Sequence, residues 1–188
     1  MASAPTESGA KARTRRAILE AAVEVLTTDP AASLADIAGA AGVGRTTVHR
    51  YFPERADLVS ALSCAAVEQI AEATERARIA EGTGIEAIER ACQEYFDLGS
   101  MLTLVFNDPQ QYVGAEWDTC TPADTAFLET VERGHEDGSI DSRLTPLWVQ
   151  NLLWSLLYSA WQYVQEAQVS RHHALDMCLY SVRKALRP

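Results

Sequence analysis

Apolar positions recur along this chain with the three-to-four-residue rhythm of helices, and no run alternates with the two-residue rhythm of a strand. The densest local signal is Ser33 to Leu58, SLADIAGAAGVGRTTVHRYFPERADL. Leu34, Ile37, Ala38 and Ala41 stand at i, i+3, i+4 and i+7, which gives a helix one apolar face. Ser33 occupies the N-cap position, and Asp36 three residues on makes a capping box with a short acid. Gly42 ends that helix, because a tight turn needs the left-handed conformation glycine adopts without strain. A second short helix follows from Arg45 to Phe52, with Val48 and Phe52 on one side and Arg45, Thr46, His49 and Arg50 on the other. Two short helices about a glycine turn, the second displaying cations and hydroxyls, have the form that lays a recognition helix in a major groove.

The pattern elsewhere is also helical. Thr14 to Leu26 (TRRAILEAAVEVL) precedes the pair, and Glu54 to Ala80 follows it with Leu58, Leu62, Ala65, Ala66, Gln69, Ile70 and Ala73 along one side. At 1.5 Å per residue that helix is ~40 Å long, enough to link a head to a second domain. Gly82-Thr83-Gly84 breaks it, and helices are expected over Ile85–Leu98, Met101–Phe106 and Ala123–Glu136, with a loop or irregular helix over 107–122. Leu144 to Gln165 carries no formal charge. Its Gln150, Asn151, Gln162, serines and Pro146 dilute the hydropathy of a membrane span, so a helix buried on every side is the better reading. Trp154, Tyr158 and Trp161 mark one face, Leu153, Leu157, Ala160 and Val164 a second, and Trp148, Leu152, Ser155, Ser159 and Tyr163 a third. One chain of this size has too few helices to cover all three, so a homodimer is expected. The last helix, Ser170 to Leu186, shows a stripe of Ala174, Leu175, Cys178, Leu179, Val182 and Leu186 suited to a symmetry mate.

Ile37-Ala38, Ala41-Gly42-Val43, Tyr51-Phe52, Pro53-Glu54 and Arg55, with TRRAILEAAVEVL upstream in register, resemble the DNA-binding domain of TetR-type transcriptional regulators. The chain departs from that pattern at Gly44, where a serine often caps the recognition helix, at His49, where tyrosine is common, and at Glu54, where a serine or asparagine often caps the next helix. The resemblance implies an all-α fold: a disordered arm over 1–12, a three-helix helix-turn-helix domain over 13–57, and a helical ligand-binding and dimerisation domain over 58–188. It implies that the last two long helices of each subunit form a four-helix dimer interface, here Trp148, Leu152, Ser155 and Ser159 with Leu175, Leu179 and Val182. It places Thr47, His49 and Tyr51 on the DNA backbone and Arg55 on a phosphate at a helix N-terminus. It also implies a repressor released by a small lipophilic or aromatic effector.

Read over the whole chain, charge argues against DNA binding, since the formal net charge is −10. The imbalance is regional: residues 1–56 hold seven Lys/Arg against six Asp/Glu, whereas 57–188 hold nine against twenty. Lys11, Arg13, Arg15 and Arg16 cluster with no acid between them, and local basic footprints set phosphate attraction. Geometry points Arg45, Thr46 and His49 at base edges, Arg45 as a bidentate partner of guanine and Thr46 or Thr47 toward a thymine methyl or a phosphate. Arg50, Ser33 and Arg15 or Arg16 are further contacts, and Lys11 or Arg13 would reach from the arm into a phosphate or the minor groove. A two-fold dimer then calls for a palindromic double-stranded operator with half-sites about 34–36 Å apart.

Aromatic residues concentrate in the C-terminal part. Phe106, Trp117, Trp154, Tyr158 and Trp161 are the candidate effector walls, with Phe96, Tyr112 and Trp148 nearby in kind. Asp108, Glu116 and Asp118 around Trp117 would draw a cationic ligand. Four widely spaced cysteines, Cys64, Cys92, Cys120 and Cys178, include no C-x-x-C pair, so reduced thiols in a cytoplasmic protein without cofactor, metal or membrane partner are expected. Two rival readings stay open: a DNA-binding dimer without effector or under thiol-redox control, and a metal protein or enzyme using His172, His173, Asp176 and Cys178 on the last helix. No nucleophile elbow, glycine-rich phosphate loop or H-E-x-x-H supports catalysis.

Overall fold

The computed structural model describes residues 9–108, 112 and 120–188, and within them the chain is helical throughout. The elements are α1 (Gly9–Thr28), α2 (Leu34–Ala40), α3 (Arg45–Tyr51), α4 (Arg55–Arg76), α5 (Gly84–Phe96), α6 (Gly99–Asn107), α7 (Pro122–Glu136), α8 (Pro146–Ala167) and α9 (Arg171–Leu186). Helix α1 starts earlier than the sequence pattern suggested, so Gly9–Ala12 form its first turn instead of belonging to the arm.

Local chemistry sets the short helices. Ser33 Oγ accepts from Asp36 N at 3.3 Å while Ser33 N donates to Asp36 Oδ2 at 2.8 Å, the reciprocal box that the spacing predicts. The Ser33 hydroxyl and the Ser33 amide, both donating to Asp36 Oδ2, hold the Asp36 carboxyl below its ordinary range, the hydroxyl contributing most. Gly42 turns the chain at φ +66°, and the amide of Val43 donates back to Ala38 O at 3.0 Å. Helix α4 opens with Glu54 N donating to Asp57 Oδ2 at 2.9 Å. It ends at Arg76, short of the expected Ala80 and ~33 Å long. The reason lies outside its own sequence: Arg78 takes a left-handed φ of 47°, and Arg90 of α5 donates to the carbonyls of Ala77, Arg78 and Glu81.

Two apolar cores result. The first joins α1, α2, α3 and the early turns of α4 through Ile18, Ala22, Leu26, Ile37, Val48, Phe52, Leu58 and Leu62. Met101, Leu104 and Val105 of α6 also belong to it, so the head is not self-contained at residue 57. The second core is built from the end of α4 with α5, α7, α8 and α9 around Ile88, Phe96, Phe127, Val131, Leu153 and Leu157. Helices α5 and α7 meet at two glycines, where a Cβ on Gly84 would fall 2.3 Å from Gly134 Cα.

The last helix corrects one expectation. Ala174, Cys178, Leu179, Val182 and Leu186 are buried in the chain's own second core, so Leu179 and Val182 are not available to a symmetry mate. Leu175 is half-buried against the same core. The stripe is the seam between α9 and its neighbours α5 and α8.

Candidate functional site

The polar side of α3 is presented to solvent by the burial of its opposite side. Val48 and Phe52 are locked in the head core, which leaves Arg45, Thr46, His49 and Arg50 exposed and Thr47 and Tyr51 half-buried. Gly44 at the N-cap offers no side chain to the helix amides, in keeping with the departure seen in the sequence. Among the described residues the side chains of Arg45 and Thr46 make no hydrogen bond or ion pair, although the Arg45 charge bears on Asp36. Lys11, Arg13 and Arg16 on α1 are exposed as well. Tyr51 Oη donates to Lys11 O at 3.2 Å and the Arg50 guanidinium lies 5.6 Å from the Tyr51 ring, so α1 and α3 form one surface.

Three of the expected phosphate ligands have structural duties in this arrangement. The Ser33 hydroxyl donates to Asp36 Oδ2 at 2.6 Å within the cap. Arg15 sits over the Phe52 ring at 5.8 Å. Arg55 is half-buried, its Nη1 donating to Ala32 O at 2.5 Å and its Nη2 to Pro30 O at 2.6 Å. It thereby straps the α1–α2 connection to the start of α4. His49 Nδ1 lies 3.4 Å from Pro53 O, a contact that steers the imidazole along the helix end.

Below the head, four of the five expected aromatic wall residues gather around α8. Trp154 stacks on Tyr95 with ring centroids 4.9 Å apart, and Phe106 tilts against it at 5.9 Å. Tyr158 Oη donates to Asn107 Oδ1 and accepts from Gln162 Nε2, each at 2.8 Å. Trp161 is buried, its indole N–H donating to Phe96 O at 3.1 Å and its ring pressed against Gly99. Tyr95 Oη bonds Thr74 Oγ1 at 2.7 Å. Burial, reinforced by the nearby Asp124 carboxylate, pushes the Tyr95 phenol up to about 12 against the pull of that bond. Among the described residues the hydrogen-bond partners of the Asp124 carboxylate are the neutral Thr121 and Gln150. Trp117, Glu116 and Asp118 lie outside the described residues, and Asp108 is exposed at the end of α6. A separate open cleft of about 640 Å³ runs between α1, α4 and the start of α6. Its rims carry Arg15, Arg16, Glu20, Glu24, Glu68 and Glu72, which suits water better than an apolar ligand.

Sequence reasoning picked out the outer face of α8 through Trp148, Leu152, Ser155, Ser159 and Tyr163 but overlooked its continuation on α9. Leu147, Trp148, Tyr163, Met177 and Tyr180 are the large apolar side chains most exposed among the described residues, Trp148 at 58% and Tyr180 at 56%. Trp148, Leu152, Ser155 and Ser159 do lie on this outer side. The i, i+3 pair Met177 and Tyr180 on α9 was the available signal, masked by His173 and Lys184 around it. His172 and Asp176 share a face at 3.4 Å, but Cys178 points into the core, and no group of three or more metal-binding side chains occurs among the described residues. Nor is any described helix long and apolar enough to cross a membrane.

Residues 18–62, which contain the cap, the glycine turn and the exposed α3 face, match the family model for bacterial regulatory proteins of the tetR family. Relatives extend that match over the whole chain, and the protein belongs to the TetR family of transcriptional regulators. It is similar to the HTH-type transcriptional repressor LfrR of Mycolicibacterium smegmatis, with 35% identity over 99% of this chain and 97% of that one. The crystal structure of LfrR in complex with proflavine superposes with a TM-score of 0.73 at 34% identity, over 94% of this chain and 98% of the other. The ketosteroid regulator KstR2 of Mycobacterium tuberculosis shares the fold, with a TM-score of 0.72 over 98% of this chain and 97% of the other at 13% identity.

Proposed function

We propose that this protein is a repressor that holds a palindromic operator as a homodimer and leaves it when a flat, cationic aromatic effector enters the cluster around Trp154. The observation that carries the reading is the double seat of α6. Met101, Leu104 and Val105 are part of the head core, while Phe106 and Asn107 touch Trp154 and Tyr158 of the effector cluster. A ring inserted beside Trp154 parts it from both Phe106 and Tyr95; moving Phe106 displaces α6, and α6 takes the head with it. The effector shifts that balance only by its differential affinity for the two positions of α6.

The chemistry of the cluster suits such a ligand. Stacked rings offer π-faces, and the polar edges of Tyr158, Asn107 and Gln162 bond one another and can be re-partnered. Asp124 supplies a carboxylate that is bonded to neutral groups and to no cation among the described residues. The proflavine complex of the relative LfrR supports an aromatic effector. The exposed apolar face of α8 and α9 supports the dimer, through Trp148, Leu152, Ser155, Ser159, Met177 and Tyr180. On DNA, Arg45, Thr46 and His49 read base edges, and Lys11, Arg13, Arg16, Arg50, Thr47 and Tyr51 hold the backbone. Ser33, Arg15 and Arg55 act by shaping the head that presents them.

Anisotropy on an operator selected from random duplexes provides the test. Proflavine is expected to release the wild-type dimer and quench its tryptophan emission. Trp154→Ala should keep operator affinity and weaken both responses by roughly tenfold or more. A Trp154→Ala protein that responds like wild type moves the effector away from this cluster, and binding with no enriched palindrome overturns the operator reading.

A further inference from the structure

Helices α5 and α9 run antiparallel along a seam of three matched contacts. At one end Arg183 grips Glu89 with two hydrogen bonds of 2.5 and 2.7 Å. At the other, Arg171 reaches Asp97 at 3.5 Å and lies 5.5 Å from the Phe96 ring centroid. Between them Cys92 Sγ and Cys178 Sγ are 3.6 Å apart, although 86 residues separate them in the chain. Buried cysteines are ordinarily small apolar filler. Two in sulfur–sulfur contact on facing helices, with ionic contacts fixing the register on both sides, are already placed for a covalent bond.

We propose that Cys92 and Cys178 form a disulfide when the protein meets a two-electron oxidant such as hydrogen peroxide, stapling α5 to α9. The Cys178 sulfur attacks one peroxide oxygen, forming the S–O bond of a sulfenic acid as the O–O bond breaks and water leaves. The Cys92 sulfur then displaces that oxygen as a second water and gives up its proton. Two thiols and one peroxide thus become one disulfide and two waters. The roles follow from the surroundings. Cys178 keeps a small opening to solvent, whereas Cys92 is fully enclosed. The hydrogen bond between the two sulfurs, with burial and the Glu89 carboxylate behind it, keeps Cys92 protonated, while the same bond favours the Cys178 thiolate.

The staple has a consequence that rests on the effector reading above. Helix α5 also carries Tyr95 and Phe96, and a ring entering beside Trp154 must move Tyr95. Tying α5 to α9 resists that movement, so the oxidised repressor should hold its operator in the presence of effector.

The experiment uses the full chain with the two exposed cysteines replaced, Cys64→Ser and Cys120→Ser, treated with peroxide, unfolded, alkylated and mapped by mass spectrometry. The expected product is a Cys92–Cys178 linked peptide that escapes alkylation, reverts with dithiothreitol and is absent from a Cys178→Ser protein. Proflavine affinity of the oxidised form should fall about fivefold or more. Full alkylation of both thiols after peroxide, or sulfinic acid on Cys178 without a link, overturns the staple. A complete link with unchanged proflavine response leaves the bond but overturns its coupling to the effector. Because the linked peptide is read without any effector, its appearance does not depend on the proposed function.

Discussion

The head and the body of this protein solve opposite problems with the same secondary structure. In the head, short helices turn their polar side outward, and the side chains of Arg45 and Thr46 make no hydrogen bond or ion pair among the described residues. In the body, the side chains of interest face inward, and polar groups around Trp154 are already bonded to one another: Tyr158 with Asn107 and Gln162, Tyr95 with Thr74, Trp161 with Phe96 O. DNA can therefore dock on the head without breaking an internal contact of those two residues, whereas a ligand has to displace contacts to enter the body. With the effector seated as proposed above, that asymmetry lets occupancy of the body be felt elsewhere, since the displaced partners belong to α6 and α5.

Substitutions can sharpen or break this division. Trp161→Ala should have the largest effect, about 3–5 kcal/mol of stability in denaturant titrations, because it empties a buried site wedged against Gly99 and Phe96. Operator affinity per folded dimer should nevertheless stay near wild type at low temperature. A specific loss of DNA binding there would erase the distinction between the two regions. Arg55→Ala tests the boundary: two charge-assisted bonds to Ala32 O and Pro30 O are lost, so about 1.5–3 kcal/mol of stability should go together with affinity for every sequence. Weaker binding with an unchanged melting curve would return Arg55 to a direct phosphate role. Arg45→Ala should leave melting alone and cost about 1–3 kcal/mol of discrimination at one base pair, read as the ratio of operator to random-duplex affinity. Equal losses on both duplexes would make Arg45 a backbone contact. Ser33→Ala is the mildest, about 1 kcal/mol of stability through the lost cap, with sequence preference retained.

The head could be read from the sequence because its determinants are local. Ser33 and Asp36 are three residues apart, Gly42 sits where the turn needs positive φ, and Val48 and Phe52 fix which side of α3 is exposed. The body resisted for the complementary reason. An apolar stripe such as Ala174–Cys178–Val182 shows that something covers it, not whether the cover is α5 of the same chain or a symmetry mate. The early end of α4 depends on Arg90, and the Cys92–Cys178 contact spans two helices far apart in sequence. The assignment of α6 to both cores turns on single-residue steps between Val105 and Phe106, which helical periodicity does not resolve.

The crossing of α5 and α7 at Gly84 and Gly134 has a mechanical meaning. Main chain touches main chain there, and the amides of Gly84 and Ile85 are tied to Asp137 Oδ2 at 2.8 Å and Ser139 Oγ at 3.1 Å. With no side chain to yield, this end of α5 acts as a fulcrum. The helix spans ~18 Å from Gly84 to Phe96, so a tilt of ~10° about that point carries the far end, where Tyr95 meets Trp154, through ~3 Å. For the effector site proposed above, the glycine contact converts a small rotation at one end of the lever into the clearance a ring needs at the other.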